Sequence, residues 1–384
     1  HFLVLGLLAF VVTYLCVPLA RRLALRLDAV DYPSARRVNK KPTPRMGGVA
    51  MAAGIAAALV VEVAGEYFFG WAGFYIHGTD RAINHAGVMC GLLTIVCVGA
   101  MDDVYSLKPS VKFAGQILGA TIIAASGLLL SSIANPLGAG FIQFGWWSYP
   151  LTVLYLVCFM NVINLIDGLD GLANGVSAIS ATTVLVIALI GGQFQVAVVM
   201  AALVGACVGF MPYNMNPAKM FMGDTGATFL GYILATMSIQ GLFKFYAIIS
   251  FAVPFLILGL PIFDTAFAFI RRIAHGQSPM HADRSHIHHR LIDMGLNQKQ
   301  AVATLYVISA ILGLSAVVLT TSGEGRAMLL FLVLCIVAVV AARVVFPKEV
   351  KEELHEELEE LKEHGHHGHH PADKPEDDGK TEEK

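Results

Sequence analysis

Five short polar stretches interrupt an otherwise apolar chain, and each carries side chains able to do chemistry. In "MDDVYSLKPSVK", Asp102 and Asp103 stand side by side, with Lys108 and Lys112 just beyond them. Adjacent carboxylates repel each other, and the dipole at a helix C-terminus disfavours them further. Such a pair is either a set of surface acids on a loop or a pair held by a cation, whether a metal ion or those lysines. In "NLIDGLDGLANG", Asn164, Asp167 and Asp170 are spaced by three, which places neighbours on one side of a helical turn. Gly168, Gly171 and Gly175 permit close backbone approach to a ligand, although "DGLDG" would also serve as a plain helix-ending turn. In "FMGDTGA", Asp224 can cap the next helix. It can equally act as a hard oxygen ligand that holds Mg²⁺ beside a phosphate at a helix N-terminus. Asn214, Lys219 and Phe221 precede it with a donor, a cation and an aromatic face.

The fourth stretch, "HADRSHIHHR", sets His281, His286, His288 and His289 beside Arg284 and Arg290. Histidines raise the suspicion of zinc, but neither CxxC nor HExxH accompanies them. With basic neighbours, the imidazoles and guanidinium groups suit phosphate and sugar hydroxyls better. The fifth, "PTPRMGG", brings Arg45 to the start of an apolar run, where it can bind an anion or anchor the helix at the membrane surface. Asp264, seven residues before Arg271, lies inside an apolar run and calls for a paired or structural polar contact.

These residues must be positioned by membrane helices. The chain is 56% hydrophobic and 14% charged, with mean hydropathy +0.66. Soluble domains are nearer 25% charged. Apolar runs of about 20 residues match an ~30 Å hydrocarbon core. The expected fold is an all-α polytopic membrane protein of about eleven transmembrane helices. They fall at roughly 2–20, 46–64, 84–101, 111–130, 150–166, 174–190, 195–211, 226–241, 245–270, 301–321 and 325–346. Residues 1–346 would form the membrane domain, and 347–384 a charged tail rich in His, Glu and Lys, partly helical and then disordered. The chain starts at His1, which implies that its natural N-terminus lies upstream; the first run reads as a retained span. Six cysteines, all within apolar runs and without CxxC, read as free thiols.

Orientation follows from charge. The loop 21–45 holds eight basic residues (Arg21, Arg22, Arg26, Arg36, Arg37, Lys40, Lys41 and Arg45), so the positive-inside rule makes it cytoplasmic. Alternation of the spans then puts all five polar stretches on the cytoplasmic face. Carboxylates in a polytopic bundle are also what a transporter uses, but transport sites lie near the midplane with access from both sides.

Taken in order, "PTPRMGG", "DDVYSLKPSVK", "NVINLIDGLDGLANG", "YNMNPAKMFMGDTG" and "DRSHIHHRL" resemble the motifs of the polyprenyl-phosphate N-acetylhexosamine-1-phosphate transferases over residues 20–346. The "HIHH" run is similar to the bacterial undecaprenyl-phosphate GlcNAc-1-phosphate branch rather than to the branch using UDP-MurNAc-pentapeptide. The resemblance implies transfer of GlcNAc-1-phosphate from UDP-GlcNAc to undecaprenyl phosphate at the bacterial inner membrane, with UMP released and a cell-envelope polysaccharide begun. It implies Mg²⁺, or Mn²⁺, held by Asp224 and Asn164. It implies catalytic roles for Asp102, Asp103, Lys112 and Asp167, with Lys112 neutralising phosphate charge and Asp102 near the attacking group. Gly168, Leu169, Asp170 and Phe221 would form the uracil pocket with Asn214 nearby, and Arg45, His286, His288, His289 and Arg290 would complete substrate binding. Expected partners are the two substrates and the lipid bilayer, with no nucleic acid; a homodimer is left open.

Overall fold

The structure, a computed structural model, describes residues 1–33, 41–71, 83–135, 140–241, 256–257, 259, 261–265 and 287–321. All of these fall within one compact unit, His1–Met328. The remaining unit, Leu329–Lys384, lies outside the described residues, as do the expected last span and most of the ninth.

Ten described helices follow in chain order: α1 (Phe2–Arg26), α2 (Gly47–Phe69), α3 (His85–Tyr105), α4 (Pro109–Ala125), α5 (Ser148–Ile166), α6 (Leu172–Ile190), α7 (Phe194–Asn214), α8 (Gly223–Gly241), α9 (Ile287–Asp293) and α10 (Gln298–Thr321). Seven segments, α1, α2, α3, α5 with its preceding single turn, α6, α7 and α10, are long and apolar enough to cross a membrane. The chain is therefore a multi-pass, mainly helical membrane protein. Among the described residues, strands are confined to two short antiparallel ribbons. One pairs β1 (Val30–Asp31) with β2 (Thr43–Pro44), and the other pairs β3 (Ser132–Ala134) with β4 (Phe141–Gln143).

Several boundaries differ from the sequence expectation. Helix α4 starts at Pro109, where a proline at the first helical position forfeits no hydrogen bond, and it ends before Gly127, whose φ is 88°. The β3–β4 hairpin then fills the connection to α5. Helix α3 runs on to Tyr105, past the expected bound of 101, and Asp102 and Asp103 lie within its last turn, at the helix C-terminus where the sequence placed them.

Helix α8 is the central element. Its residues from Thr225 to Ile239 are all buried, packed among α2, α3, α5, α6 and α7. A helix enclosed by protein need not be uniformly greasy, which is why α8 can carry Thr225, Thr228, Thr236 and Ser238. Around it, close crossings rely on small residues. On α7, Gly205 and Gly209 let the backbone meet α1 at Gly6 and Phe10: a Cβ on Gly205 would lie 2.0 Å from the Gly6 carbonyl oxygen. The outer surface of the bundle is apolar, with Leu3, Leu15, Leu93, Leu118, Leu154 and Leu314 exposed as side chains facing hydrocarbon must be. Tyr67, Phe68, Phe69, Trp146, Trp147 and Tyr149 are exposed at the end of the bundle opposite Asp224, an aromatic belt of the kind found at membrane interfaces.

Candidate active site

Four of the five polar stretches meet at one end of the bundle, where α3, α5 and α7 finish and α2, α4, α6 and α8 begin. Two adjacent acids on α3 have separate partners. Asp103, fully buried, turns toward the first turn of α8. One carboxylate oxygen accepts 2.8 Å from the Asp224 amide; the other accepts 3.1 Å from the Thr225 amide and also takes the Thr225 hydroxyl. These amides are among the helix donors that have no partner within the helix. A carboxylate beside them also meets the favourable end of the α8 dipole. Gly223, with φ of 71°, lies so close that a Cβ there would sit 2.4 Å from both Asp103 oxygens. Asp103 thus fixes where α8 starts, and with it the position of Asp224.

Asp102 faces the other way. Its Oδ1 accepts 2.8 Å from the Leu107 amide, a return made possible by Ser106 in the left-handed region at φ 48°. Its Oδ2 lies 3.0 Å from Lys112 Nζ at the start of α4. The same ammonium contacts Asp224 Oδ1 and donates 3.5 Å to Asn164 Oδ1, while Asn164 Nδ2 donates 2.5 Å to Asp224. Asp102, Lys112, Asn164 and Asp224, from four different helices, form one cluster. Two carboxylates surround a single ammonium, so the cluster carries excess negative charge and two kinds of hard oxygen, carboxylate and amide. One helical turn deeper, Asn161 Nδ2 donates 2.7 Å to Gln116 Oε1 and so repeats the α4–α5 link beneath Lys112 and Asn164.

Asp167 follows α5 at its C-cap. Burial, followed by the Asp224, Asp103 and Asp170 carboxylates, pushes its pKa up to about 8. Asp170 faces the α7–α8 connection instead, accepting 2.9 Å from Asn216 Nδ2 and 3.0 Å from the Ala218 amide. Between them, Gly168 is exposed and Leu169 is buried. Asn214, the last residue of α7, donates 3.2 Å to the Met220 carbonyl and leaves its Oδ1 without a partner among the described residues. The backbone of Phe221 is clamped on both sides: its amide donates 2.9 Å to the Pro44 carbonyl, and its carbonyl accepts 3.0 Å from the Gly47 amide. Gly48 must be glycine for this, because a Cβ would sit 2.1 Å from the Gly226 nitrogen. The segment following β2 is thereby bound to the start of α8. It carries Arg45, whose Nη2 donates 3.4 Å to Ser106 Oγ and whose buried Nε has no partner among the described residues.

The histidine segment is only partly in view. His286 and the side chains of His288 and His289 lie outside the described residues, as does Arg271; Arg290 is half-buried on α9. Asp264 accepts 2.8 Å from the Ile287 amide, a structural polar contact that ties the start of α9 to the membrane segment before it. Among the described residues no group of three His, Cys, Asp or Glu side chains could hold a metal ion by themselves, and Cys16, Cys90, Cys97, Cys158 and Cys207 are free thiols. Sequence reasoning missed Thr225 and Asn216, which bond Asp103 and Asp170, and Gln298 and Tyr306 of α10, which bond Asn216 and the Gly171 carbonyl.

Comparison with known proteins accords with this arrangement. Residues 85–242, which contain α3 to α8, match the model of glycosyl transferase family 4. The chain is 39% identical to a probable undecaprenyl-phosphate N-acetylglucosaminyl 1-phosphate transferase of Bacillus subtilis (strain 168), over 88% of this chain and 91% of that one. It is 34% identical to a decaprenyl-phosphate N-acetylglucosaminephosphotransferase of Mycolicibacterium smegmatis, over 87% and 86% of the two chains. With an undecaprenyl-phosphate alpha-N-acetylglucosaminyl 1-phosphate transferase of Salmonella typhi it shares 28% identity over 79% and 80%. With likeness of that depth over most of the chain, and with four of the five motifs gathered at one end of the bundle, the chain belongs to glycosyl transferase family 4, among the polyprenyl-phosphate N-acetylhexosamine-1-phosphate transferases.

Proposed function

We propose that the protein transfers GlcNAc-1-phosphate from UDP-GlcNAc to undecaprenyl phosphate, giving undecaprenyl-diphosphate-GlcNAc and UMP, with Mg²⁺ or Mn²⁺ as cofactor. The observation that carries this reading is the Asp102–Lys112–Asn164–Asp224 cluster at one end of an apolar bundle. A polar site at the membrane boundary is where a lipid phosphate and a soluble nucleotide can meet. The relatives' names give the acceptor and the hexosamine.

The cluster fits a divalent cation. Its donors are hard oxygens, and its two carboxylates exceed the single positive charge facing them. Asp224 and Asn164 would hold the ion, which supplies neutralisation of the pyrophosphate charge when bound. In the transfer, an oxygen of the lipid phosphate attacks the sugar-bearing phosphorus. The bond from that phosphorus to the bridging oxygen breaks, and UMP leaves with the electron pair. Lys112 faces the charge spread over the transferring group. Asp102, held by Lys112 and the Leu107 amide, is placed to take the proton from an acceptor that arrives as the monoanion. The second pKa of a phosphate monoester is about 6, so near neutrality most of the acceptor needs no base. A covalent sugar-phosphate on the protein has no role in this scheme, and both substrates bind before either product leaves.

The basic residues around 21–45 support a cytoplasmic site in a bacterial inner membrane, facing the nucleotide pool. The deciding experiment incubates the purified protein in detergent with UDP-GlcNAc, undecaprenyl phosphate and Mg²⁺. UMP and lipid-linked GlcNAc diphosphate should form together, and only when the lipid is present. Full turnover in EDTA would remove the metal from the scheme, and UMP release without lipid would overturn the one-step transfer.

A further inference from the structure

Helix α10 reaches the turn between α5 and α6 in two ways, once through Asn216 of the α7–α8 connection and once directly. At its start, Gln298 Oε1 accepts 2.6 Å from Asn216 Nδ2, the same amide that donates to Asp170. Further along, Tyr306 Oη donates 2.6 Å to the carbonyl of Gly171. That carbonyl also accepts the first intrahelical bond of α6, 2.9 Å from the Gly175 amide. Gly171 itself caps α6 at φ 80° and has no side chain with which to hold the turn. The Tyr306 ring is seated so closely on α6 that a Cβ on Gly175 would lie 2.1 Å from both its Cζ and its Oη.

Neither contact reaches the Asp102–Lys112–Asn164–Asp224 cluster, and neither is required for apolar packing. A phenylalanine would fill the volume of Tyr306 equally well. A tyrosine hydroxyl removed from water must find a partner, and here it finds the one carbonyl that begins α6. The two contacts bear on neighbouring residues at the end of the turn: Asp170 through the Asn216 amide, and Gly171 directly through its carbonyl. Gly168 is left exposed between these residues and Asp167.

We infer that Tyr306, assisted by Gln298, is a positioning residue that holds the Asp167–Gly171 turn in the conformation receiving the nucleotide half of the donor. This rests on the transferase reading above. Affinity for the donor is then set in part from α10, a helix that supplies no group to the reacting atoms.

The test is Tyr306→Phe in the full chain, with Gln298→Ala as a second variant. Two quantities are measured: amide hydrogen exchange across 164–176 without substrates, and steady-state kinetics with each substrate varied. In Tyr306→Phe, exchange in that segment should quicken while α3 and α4 stay as in the wild type. KM for UDP-GlcNAc should rise about fivefold, the equivalent of one neutral hydrogen bond, with kcat and KM for undecaprenyl phosphate unchanged. Gln298→Ala should move the same two readouts in the same direction. Unaltered exchange would overturn the inference, as would a loss shared by kcat and both KM values. A wild type that releases no UMP defeats the transferase reading instead, and the exchange measurement then still decides whether Tyr306 holds the turn.

Discussion

Asp103, reaching across from α3, and Asp224 both place a carboxylate at the start of α8, yet their substitution should have different consequences. Asp224→Asn removes a carboxylate from the Lys112 cluster and leaves the α8 amides with their Asp103 acceptor. Turnover should fall by about 10²–10³-fold or more, with thermal unfolding in detergent unchanged. Asp103→Asn puts an amide nitrogen where the Thr225 amide and hydroxyl need an acceptor. It should cost about 1–3 kcal/mol of stability, read as a lowered unfolding midpoint. A stable, fully active Asp103→Asn protein would show that α8 does not depend on this cap. Asp167 adds a pH dependence. Its pKa of about 8 lies above the unfolded value of about 3.9, so the folded state binds the proton more tightly between those limits. Its contribution to stability is fully present below the unfolded pKa and is lost as pH rises toward 8. In magnesium-free buffer the wild-type midpoint should therefore drop between pH 6 and pH 9, and Asp167→Asn should flatten that drop.

At the scale of elements, the argument turns on which end of each helix carries charge. Helices α3, α5 and α7 deliver Asp102, Asn164 and Asn214 at their C-termini, while α4 and α8 deliver Lys112 and Asp224 at their N-termini. On the proposed reading, in which the site lies at one membrane face, that pattern means that these helices alternate in direction. The β3–β4 hairpin must then lie on the far side from the loop joining α3 to α4. In a cysteine-free background, Gln143→Cys should react with a membrane-impermeant thiol reagent added to intact cells, and Ser110→Cys should react only after the cells are opened. Both positions are exposed, so accessibility within the fold is not in question. The reverse labelling would invert the topology and part the site from the cytoplasmic nucleotides.

At the scale of the molecule, every described group of the cluster lies between Asp102 and Asp224, and the helices that brace it end with α10 at Thr321. The charged segment 347–384 follows the last apolar run and contributes nothing that the proposed chemistry requires. Deleting it should leave the rate of UMP release unchanged under saturating substrates. A large loss of kcat on deletion would mean that the tail, with its many histidines, takes part in the reaction or in assembly.

Much of this protein is determined by local features of its sequence. Apolar runs long enough for a bilayer, punctuated by polar turns, specify membrane helices, because hydropathy and helical rise act over a single segment. Basic loops give an expected orientation, and the spacing of Asn164, Asp167 and Asp170 marks a helix end that carries acids. What the sequence left open was the division of labour between neighbours. Asp102 and Asp103 look equivalent as text, but consecutive residues of a helix point about 100° apart. Only the packing of α4 on one side and α8 on the other decides that one meets an ammonium and the other a row of amides. Likewise 226–241 reads as one span among many, yet α8 is the most enclosed of the described helices because five others surround it. Tyr306 and Gln298 carry no local signal whatever. Their partners stand 135 and 82 residues away in the chain, and only the tertiary fold, by closing that distance, makes them part of the site.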